Sequence, residues 1–470
     1  MLFNTINFFL FLTVVLVVHK ALPIKGRPFF LLVASYFFYA SWDVRFLALL
    51  IISTLIDYFC GLALAKQTKE SIRKKILGLS VLANLGILLF FKYFDFFADS
   101  MHKLFAGSGI QPDERFLNVI LPVGISFYTF QTMSYTIDVY RRKIKPERNL
   151  IYFSLYVAFF PQLVAGPIER AGNLLSQLRR PHSVNRTMVA EAFWLIIYGL
   201  FKKVVVADNL AILVQPVFDH PTSHHGFINL LALYAGAIYH YTDFSGYSDM
   251  ACGIARLFGV RLMFNFRLPL FQSNPRNFWN HWHISLTLWF RDYVYIPLRR
   301  SWVFRQIPPA FHDPVAVIVT FSLIGIWHGP DMHFFVWGLI NGLLIAAYNI
   351  LVNIKKSPQL LPSALNTIAF QLWFIPTMGA FMVCRSTADA LLLLANAFKP
   401  FEFNGGLLAA TMAAFALPLF LFDGVLHRHK DLLFFPRQKA WVLQAVILVL
   451  WLFILTAGFT SKHDFIYFQF

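Results

Sequence analysis

Long apolar stretches separated by short basic segments recur along the whole chain. Several reach the roughly 17–25 residues that an α-helix needs to cross a bilayer. The clearest of them are Ile76–Phe97, Val119–Val139, His333–Val352, Gly406–Leu426 and Ala440–Phe459. The pattern predicts an all-α, polytopic integral membrane protein with roughly ten or eleven transmembrane helices plus re-entrant helices. Because no internal repeat or linker-like segment interrupts it, we expect a single domain over residues 1–470.

Three further stretches do not fit a simple crossing. Ile151–Ala165 is short and lies between basic segments, which predicts a re-entrant piece. Asn277–Pro297 begins with polar and aromatic residues and ends at a proline, so it is not expected to cross. Pro314–Trp327 lies between basic segments and is followed by Gly329-Pro330, which predicts an in-and-back hairpin.

Asp208–Gly226 is expected to be an external loop.

The loop charges orient the chain. Lysine and arginine cluster after the first apolar segment, Phe3–Val18, and again near residues 66–75, 141–148 and 427–439. The positive-inside rule places these loops in the cytoplasm. The N-terminus and the C-terminal aromatic tail, residues 460–470, are then both expected outside.

The composition agrees with a lipid-facing surface. The chain is 58% hydrophobic and only 13% charged, against about 25% charged residues in soluble proteins. Its net charge of +17 is divided among short loops and forms no long basic stripe. We therefore expect the lipid bilayer as its surroundings and no nucleic-acid partner.

Motifs for bound cofactors are missing from the sequence. It has no glycine-rich phosphate loop, no dinucleotide fingerprint and no G-x-S-x-G nucleophile elbow. Cys60, Cys252 and Cys384 lie far apart without the spacing of a zinc site. No metal and no tightly bound cofactor are expected.

Two Trp-His pairs stand in this apolar sequence. Trp282-His283 lies within a polar and aromatic segment, and Trp327-His328 directly precedes Gly329-Pro330. An ionisable side chain is costly in a membrane, so it calls for a partner, a water-filled cavity or a reaction. A neutral imidazole can accept a proton from a hydroxyl group. The alternative is a buried histidine that is hydrogen-bonded and serves only packing.

A second polar run lies beside an apolar segment and contains Asp243, Ser245, Tyr247 and Asp249. Two roles remain open for it: anchoring the backbone through caps and hydrogen bonds, or lining a reaction chamber. Arg291-Asp292 allows an ion pair, and Arg291 alternatively a contact with phosphate groups.

As a set, seven motifs closely resemble the membrane-bound O-acyltransferase family over nearly the full length. Within that family they are similar to the bacterial branch that O-acetylates exported polysaccharides such as alginate. The motifs are Leu121–Phe127, Ala165–Pro167, Tyr241–Asp249, Phe278–Ser285, Arg291–Tyr293, Trp327–Gly329 and Phe465–Phe470.

The resemblance implies roles for particular residues. His328 matches the family's catalytic histidine, and His283 matches a second active-site position. Tyr467, in the C-terminal aromatic motif, is implied as an acyl carrier, the alternative being a docking or lipid-interface aromatic residue. The expected substrate-binding lining is Trp282, Trp327, Asp243, Ser245, Tyr247, Asp249 and Arg291.

The resemblance also implies the reaction. We expect a multi-pass protein of the bacterial inner membrane that takes acetyl from a cytoplasmic donor, acetyl-coenzyme A. A periplasmic hydrolase-like O-acetyltransferase partner would complete the O-acetylation of an exported polysaccharide such as alginate. Peptidoglycan, cellulose or D-alanylation of teichoic acid are the alternative acceptors and payloads. A polytopic transporter or flippase, or a structural scaffold, is the alternative from another class.

Overall fold

The computed structural model describes residues 1–107, 120–356, 363–400 and 405–458. These residues form helices joined by turns and contain no strand, which confirms the all-α class. The chain divides into two compact units. The first consists of Met1–Val184, Ala255–Leu262 and Gly329–Asp331, and the second of Asn185–Ile254, Met263–His328 and Met332–Phe470. The expectation of one domain over the full chain stays a prediction.

The first unit contains eight helices in its described part. They are α1 (Ile6–Ala21), α2 (Arg27–Ala40), α3 (Val44–Lys66), α4 (Glu70–Gly107), α5 (Ile125–Tyr140), α6 (Leu150–Ala158), α7 (Phe160–Leu163) and α8 (Ala171–Arg179).

Helix boundaries in this unit follow local capping chemistry. The Asp43 carboxylate accepts a hydrogen bond from the Arg45 backbone N–H at 2.8 Å and begins α3. The stretch predicted as re-entrant breaks at Phe159 into α6 and α7, and neither helix is long enough to span a bilayer.

A buried carboxylate joins three helices of the first unit. Asp57 on α3 is fully buried. Its oxygens accept hydrogen bonds from Ser80 and Asn84 on α4 and from Thr136 on α5. A buried charge without such donors would be strongly destabilising, so this polar cluster fixes how α3, α4 and α5 meet.

The second unit contains fourteen helices in its described part. They are α9 (Arg186–Phe201), α10 (Asp208–Asp219), α11 (Phe227–Leu257), α12 (Pro275–His281), α13 (Ile284–Phe290), α14 (Ile296–Arg299), α15 (Trp302–Arg305), α16 (Pro309–His328), α17 (Met332–Lys355), α18 (Ser363–Ala369), α19 (Ile375–Val383), α20 (Thr387–Ala397), α21 (Gly406–His429) and α22 (Ala440–Ala457).

Three continuous helices of this unit contain a π-helical turn. Lys202–Ala207 joins α9 to α10, Arg291–Tyr295 joins α13 to α14, and Phe370–Phe374 joins α18 to α19. Because the first of these turns continues into α10, much of the predicted external loop Asp208–Gly226 is helical. Such turns often occur near functional sites.

Glycines bring α9 and α11 into backbone contact. A Cβ atom at Gly246 would lie 2.6 Å from the carbonyl oxygen of Gly199, and one at Gly199 would lie 2.5 Å from that of Gly246. A Cβ atom at Gly253 would lie 2.7 Å from the carbonyl oxygen of Ala192. Small residues allow this close approach between helices in an apolar interior.

The close crossing places two lysines next to acidic residues. Lys202 lies 2.8 Å from Asp249, and Lys203 lies 2.6 Å from Asp243 and 2.8 Å from Asp208. All five side chains are buried. Each charge is thereby compensated where water is excluded, which a buried ion requires.

Helices α16 and α17 form a tight hairpin. A Cβ atom at Gly338 on α17 would lie 2.3 Å from the carbonyl oxygen of Phe321 and 3.0 Å from the Cα of Gly325, both on α16. Each helix is long and apolar enough to cross a membrane. Pro314–Trp327, predicted as one side of an in-and-back hairpin, is therefore too short a prediction. The helix α16 starts at Pro309, and its 20 residues span about 30 Å.

Six helices in the described part have the length and apolar composition of membrane spans: α3, α4, α16, α17, α21 and α22. Three more, α1, α2 and α20, are apolar but shorter. The roughly ten or eleven crossings predicted from the sequence also include apolar stretches that form helices outside these six, such as α1 and α2. Their total number stays a prediction. The helices are consistent with a polytopic membrane protein.

We expect Gly246→Ala to destabilise the protein. The added methyl group would strike the backbone of α9, and overpacking of this kind costs about 1–3 kcal/mol. The thermal midpoint of the purified protein in detergent measures the effect. Gly424→Ala on α21 is the matched control, because a Cβ atom at Gly424 would meet open space. Equal midpoints for the two variants would contradict the close crossing.

We expect Lys203→Met to destabilise the protein more than Gly246→Ala does. It leaves Asp208 and Asp243 buried beside each other without their cation, and breaking a buried pair costs about 3–5 kcal/mol. Adding Asp243→Asn should restore part of the loss, because the two residues are coupled. Lys143→Met, which removes an exposed lysine from its pair with the partly buried Asp138, should change the midpoint less. A Lys203→Met protein as stable as that control would refute the pairing.

Candidate active site

His283 stands at a strained position of the backbone. It precedes α13 with φ +40° and ψ +53°, a left-handed conformation that is uncommon for residues other than glycine. Hydrogen bonds on both sides hold it there: Ile284 N–H donates to the Asn265 carbonyl at 2.8 Å, and Arg267 N–H donates to the His281 carbonyl at 3.0 Å. Strain of about 1–3 kcal/mol persists only where the surroundings enforce it, often at functional sites.

The His283 imidazole lies in an aromatic environment. Its side chain is buried, and its ring meets the ring of Phe244 edge to face at 4.8 Å. His283 lies outside the six helices of spanning length. Burial lowers the pKa of this imidazole, and neighbouring His240 lowers it further. A neutral ring retains one nitrogen that accepts a proton and one that donates a hydrogen bond.

His328 is the last residue of α16 and is partly exposed. Its ring lies edge-on to Trp327 at 4.9 Å and to Trp337 at 5.1 Å. Trp337 reaches this position because it precedes Gly338, at the contact where α17 packs tightly against α16. Its accessibility makes His328 the histidine of the pair that a substrate can approach.

Trp327 contacts both histidines. Its ring centroid is 6.1 Å from that of His283 and 4.9 Å from that of His328. The structure thus brings together two Trp-His pairs that are 45 positions apart in the chain. Trp279, 5.7 Å from Trp337, extends the same aromatic wall.

Trp282 is packed by aromatic neighbours. It stacks on Phe278 at 5.2 Å and on His240 at 5.6 Å, and it meets Phe266 edge-on at 5.0 Å. His240 was not among the site residues predicted from the sequence. The signal for it was its spacing: it lies four residues before Phe244 on α11, so both are on one helix face.

The polar run on α11 divides between two surroundings. Asp243 and Asp249 form the ion pairs with Lys203 and Lys202, a structural contact that the sequence did not predict. Phe244, between Asp243 and Ser245, is the residue of this run whose ring contacts His283. Ser245 and Tyr247 are buried. Substrate binding by these four polar residues stays a prediction.

Lys202 and Lys203 were missed by sequence reasoning, because they were included in an apolar segment. The signal was available: two lysines in such a segment require anionic partners. A fourth acidic residue, Asp423 on α21, accepts hydrogen bonds from Tyr198 at 2.6 Å and Tyr241 at 3.0 Å. The Lys202 ammonium lies 4.4 Å from the centroid of the Tyr198 ring, a cation–π distance.

Two predicted site residues do not join this arrangement. Arg291 is exposed and pairs with adjacent Asp292 at 2.9 Å. Of the two contacts expected for Arg291, the structure shows the ion pair, and the contact with phosphate groups stays a prediction. Tyr467 lies outside the described residues, and its role stays a prediction. The described residues contain no group of three or more histidine, cysteine or acidic side chains arranged to hold a metal ion.

The grouping of the two histidines suits proton transfer. One imidazole is accessible, a second is buried, where its lowered pKa favours the neutral form, and the Trp327 indole contacts both. An accessible imidazole can remove a proton from an attacking hydroxyl group. A fixed ring N–H can stabilise negative charge that develops on a carbonyl oxygen.

Comparisons with known proteins agree with this chemistry. The model of the membrane-bound O-acyltransferase family matches residues 30–378. The chain is 38% identical over 391 residues to a probable alginate O-acetylase of Pseudomonas aeruginosa, which covers 82% of this chain and 71% of that protein. It is 32% identical over 344 residues to a peptidoglycan O-acetyltransferase of Helicobacter pylori, covering 68% and 63%. It is 27% identical over 262 residues to a teichoic acid D-alanyltransferase of Bacillus subtilis, covering 54% and 65%.

The family match contains both histidines, Trp327 and the polar run on α11. It covers most of the chain, and the relatives at 38% and 32% identity are both O-acyl-transferring enzymes by name. The resemblance found in the sequence is confirmed, and the protein is a multi-pass membrane O-acyltransferase. The chain belongs to the membrane-bound O-acyltransferase family.

Proposed function

We propose that the protein O-acetylates an exported polysaccharide with acetyl groups taken from cytoplasmic acetyl-coenzyme A. The observation that carries this proposal is the contact of both His283 and His328 with the ring of Trp327. The relatives support the acceptor class, since they are named for alginate, peptidoglycan and teichoic acid. Alginate is the acceptor we favour, and peptidoglycan, cellulose or D-alanylation of teichoic acid are the alternatives.

His328 is the proposed general base. Its imidazole removes the proton from an acceptor hydroxyl as the oxygen attacks the thioester carbonyl. A C–O bond forms, the C–S bond breaks, and the leaving thiolate takes the proton back from the imidazolium. His283 supports this step by orienting the substrate or by donating a hydrogen bond to the carbonyl oxygen.

The C-terminal tail is the proposed route to the outer face. Tyr467 would be the first acceptor of the acetyl group, and its phenyl ester is activated enough to pass the group on. A periplasmic hydrolase-like O-acetyltransferase would then complete transfer to the polysaccharide. The bacterial inner membrane, with both termini outside, is the location this sequence of steps requires.

Family membership decides between the classes that the sequence left open. An O-acyltransferase cleaves its donor, whereas a transporter or flippase leaves the thioester intact. Membership of this enzyme family therefore favours catalysis over transport.

We expect His328→Ala to abolish acetylation of the exported polysaccharide. Loss of a general base typically lowers a rate about 10²–10⁴-fold. Glycan acetate is measured in a deletion strain complemented at matched membrane expression. His220→Ala, at an exposed histidine after α10, is the control and should restore wild-type acetate.

Tyr467→Phe in the same strain separates relay from docking. If the tyrosine hydroxyl carries acetyl, Tyr467→Phe should be as inactive as His328→Ala. Full acetate with Tyr467→Phe would make the tail a docking element, and full acetate with His328→Ala would refute the proposed chemistry.

We expect His283→Asn to keep the fold and lose activity. Asparagine tolerates the left-handed backbone better than most residues, so the thermal midpoint should stay near that of the wild type. His283→Ala should lower the midpoint further, since alanine lacks this tolerance. Both variants should reduce acetyl transfer about 10²-fold or more, because neither has an imidazole. Wild-type transfer by His283→Asn would reduce His283 to a packing residue.

A further inference from the structure

A basic cavity of about 510 Å³ lies apart from the paired histidines in the second unit. Two distant stretches of the chain form it: the connection between α11 and α12 together with the last residue of α12, and the end of α21 together with the connection between α21 and α22. The charged and imidazole-bearing residues that line it are Arg267, His281, His427, Lys430, Asp431 and Arg437.

The cavity has an excess of positive charge. Arg437 pairs with Asp431 at 2.7 Å. Arg267 and Lys430 are exposed, and neither forms an ion pair with another described residue. Three cations, Arg267, Lys430 and Arg437, share the cavity with one carboxylate, Asp431. Without the imidazoles, the cavity therefore has two excess positive charges. By contrast, Lys202 and Lys203 in the interior of this unit are compensated.

The walls of the cavity are held by contacts within the protein. Arg267 N–H donates to the His281 carbonyl at 3.0 Å, and the His427 ring stacks on Phe271 at 5.1 Å. Lys430 ends α21 in the left-handed conformation, with φ +52°. Leu433 N–H donates to the Asp431 carboxylate at 2.9 Å. The backbone at Arg267 and Lys430 is therefore fixed before any ligand arrives, which lowers the entropic cost of binding.

The position of the cavity relates it to the site. In the cavity wall, Arg267 N–H donates to the His281 carbonyl. The same two backbone segments are joined next to His283, where Ile284 N–H donates to the Asn265 carbonyl. The stretch that contributes His427, Lys430 and Arg437 is also one that the loop charges are expected to place on the cytoplasmic side.

We propose that this cavity is a phosphate-binding site. The guanidinium of Arg267 offers a planar fork of donors, and the Lys430 ammonium supplies a point charge, the pair of groups that suits phosphate oxygens. The imidazoles of His281 and His427 add further hydrogen-bonding groups. A volume of about 510 Å³ is in the range of small-molecule sites. The phosphate belongs either to a nucleotide thioester or to the head group of an anionic phospholipid.

Binding to the full-length protein in neutral detergent tests the nucleotide source. The probes are coenzyme A, adenosine 3′,5′-bisphosphate and inorganic pyrophosphate, measured by titration calorimetry. Arg267→Gln and Lys430→Asn should each weaken coenzyme A binding about tenfold, as expected for one lost charge-assisted contact. Lys439→Gln is the control, because this exposed lysine of the same connection does not line the cavity. Asparagine at position 430 keeps the left-handed backbone.

Reconstitution tests the lipid source. If the head group is the ligand, vesicles of phosphatidylglycerol should raise the thermal midpoint of the wild type relative to phosphatidylcholine vesicles. The rise should be smaller in Arg267→Gln and Lys430→Asn, and none of the soluble probes should bind. The proposal is overturned if wild type and both variants behave alike with every probe and in both kinds of vesicle.

These outcomes are separate from the test of acetyl transfer, although the nucleotide source rests on the proposed function. Coenzyme A binding that depends on Arg267, in a protein whose glycan acetylation survives His328→Ala, would refute the proposed chemistry and keep the phosphate site. Equal binding by all variants, with acetylation that depends on His328, would refute the phosphate site and keep the proposed chemistry.

Discussion

Neutralisation of buried charge at one helix crossing organises the second unit. Glycines let α9 and α11 touch at the backbone, and this contact brings Lys202 and Lys203 within 2.8 Å of Asp249 and Asp243. A lysine or aspartate buried without its partner would be strongly destabilising. The two features depend on each other: the ion pairs need the close approach, and the close approach would bury uncompensated charge without the pairs. The same stretch of α11 presents Phe244 to His283, so the packing of the crossing also positions the site.

The site itself is built from aromatic contacts more than from polar ones. The Trp327 ring contacts both His283 and His328, Trp337 also contacts His328, and Phe244 also contacts His283. Apolar walls exclude water, which strengthens hydrogen bonds to the reacting groups. Rigid rings also restrict where an imidazole can turn. The α16–α17 hairpin, which glycine contacts hold together, supplies one histidine, and a strained loop supplies the other.

Several features could be predicted without coordinates because they depend on local composition. Apolar length identifies helices that fit a bilayer, and proline, glycine and capping residues mark where they end. The fold class and the prominence of the two Trp-His pairs follow from such local rules. The same rules misjudged Pro314–Trp327, since α16 begins at Pro309 and continues through Pro314, although a proline inside a helix usually interrupts it. They also missed the helix α10, because the π-helical turn carries α9 onward through Lys202–Ala207.

What the sequence by itself determined is therefore the all-α membrane architecture, the family resemblance and the candidate histidines, because each depends on residues close together in the chain. Only the tertiary structure decided which groups meet. Asp243 and Asp249 serve as counter-ions to lysines, His240 joins the packing around Trp282, and Arg267 shares a cavity with Lys430. These partners lie between 40 and more than 160 positions apart in the chain. Their contacts depend on helix crossings that are set by the shape of the packed interior, which no local pattern encodes.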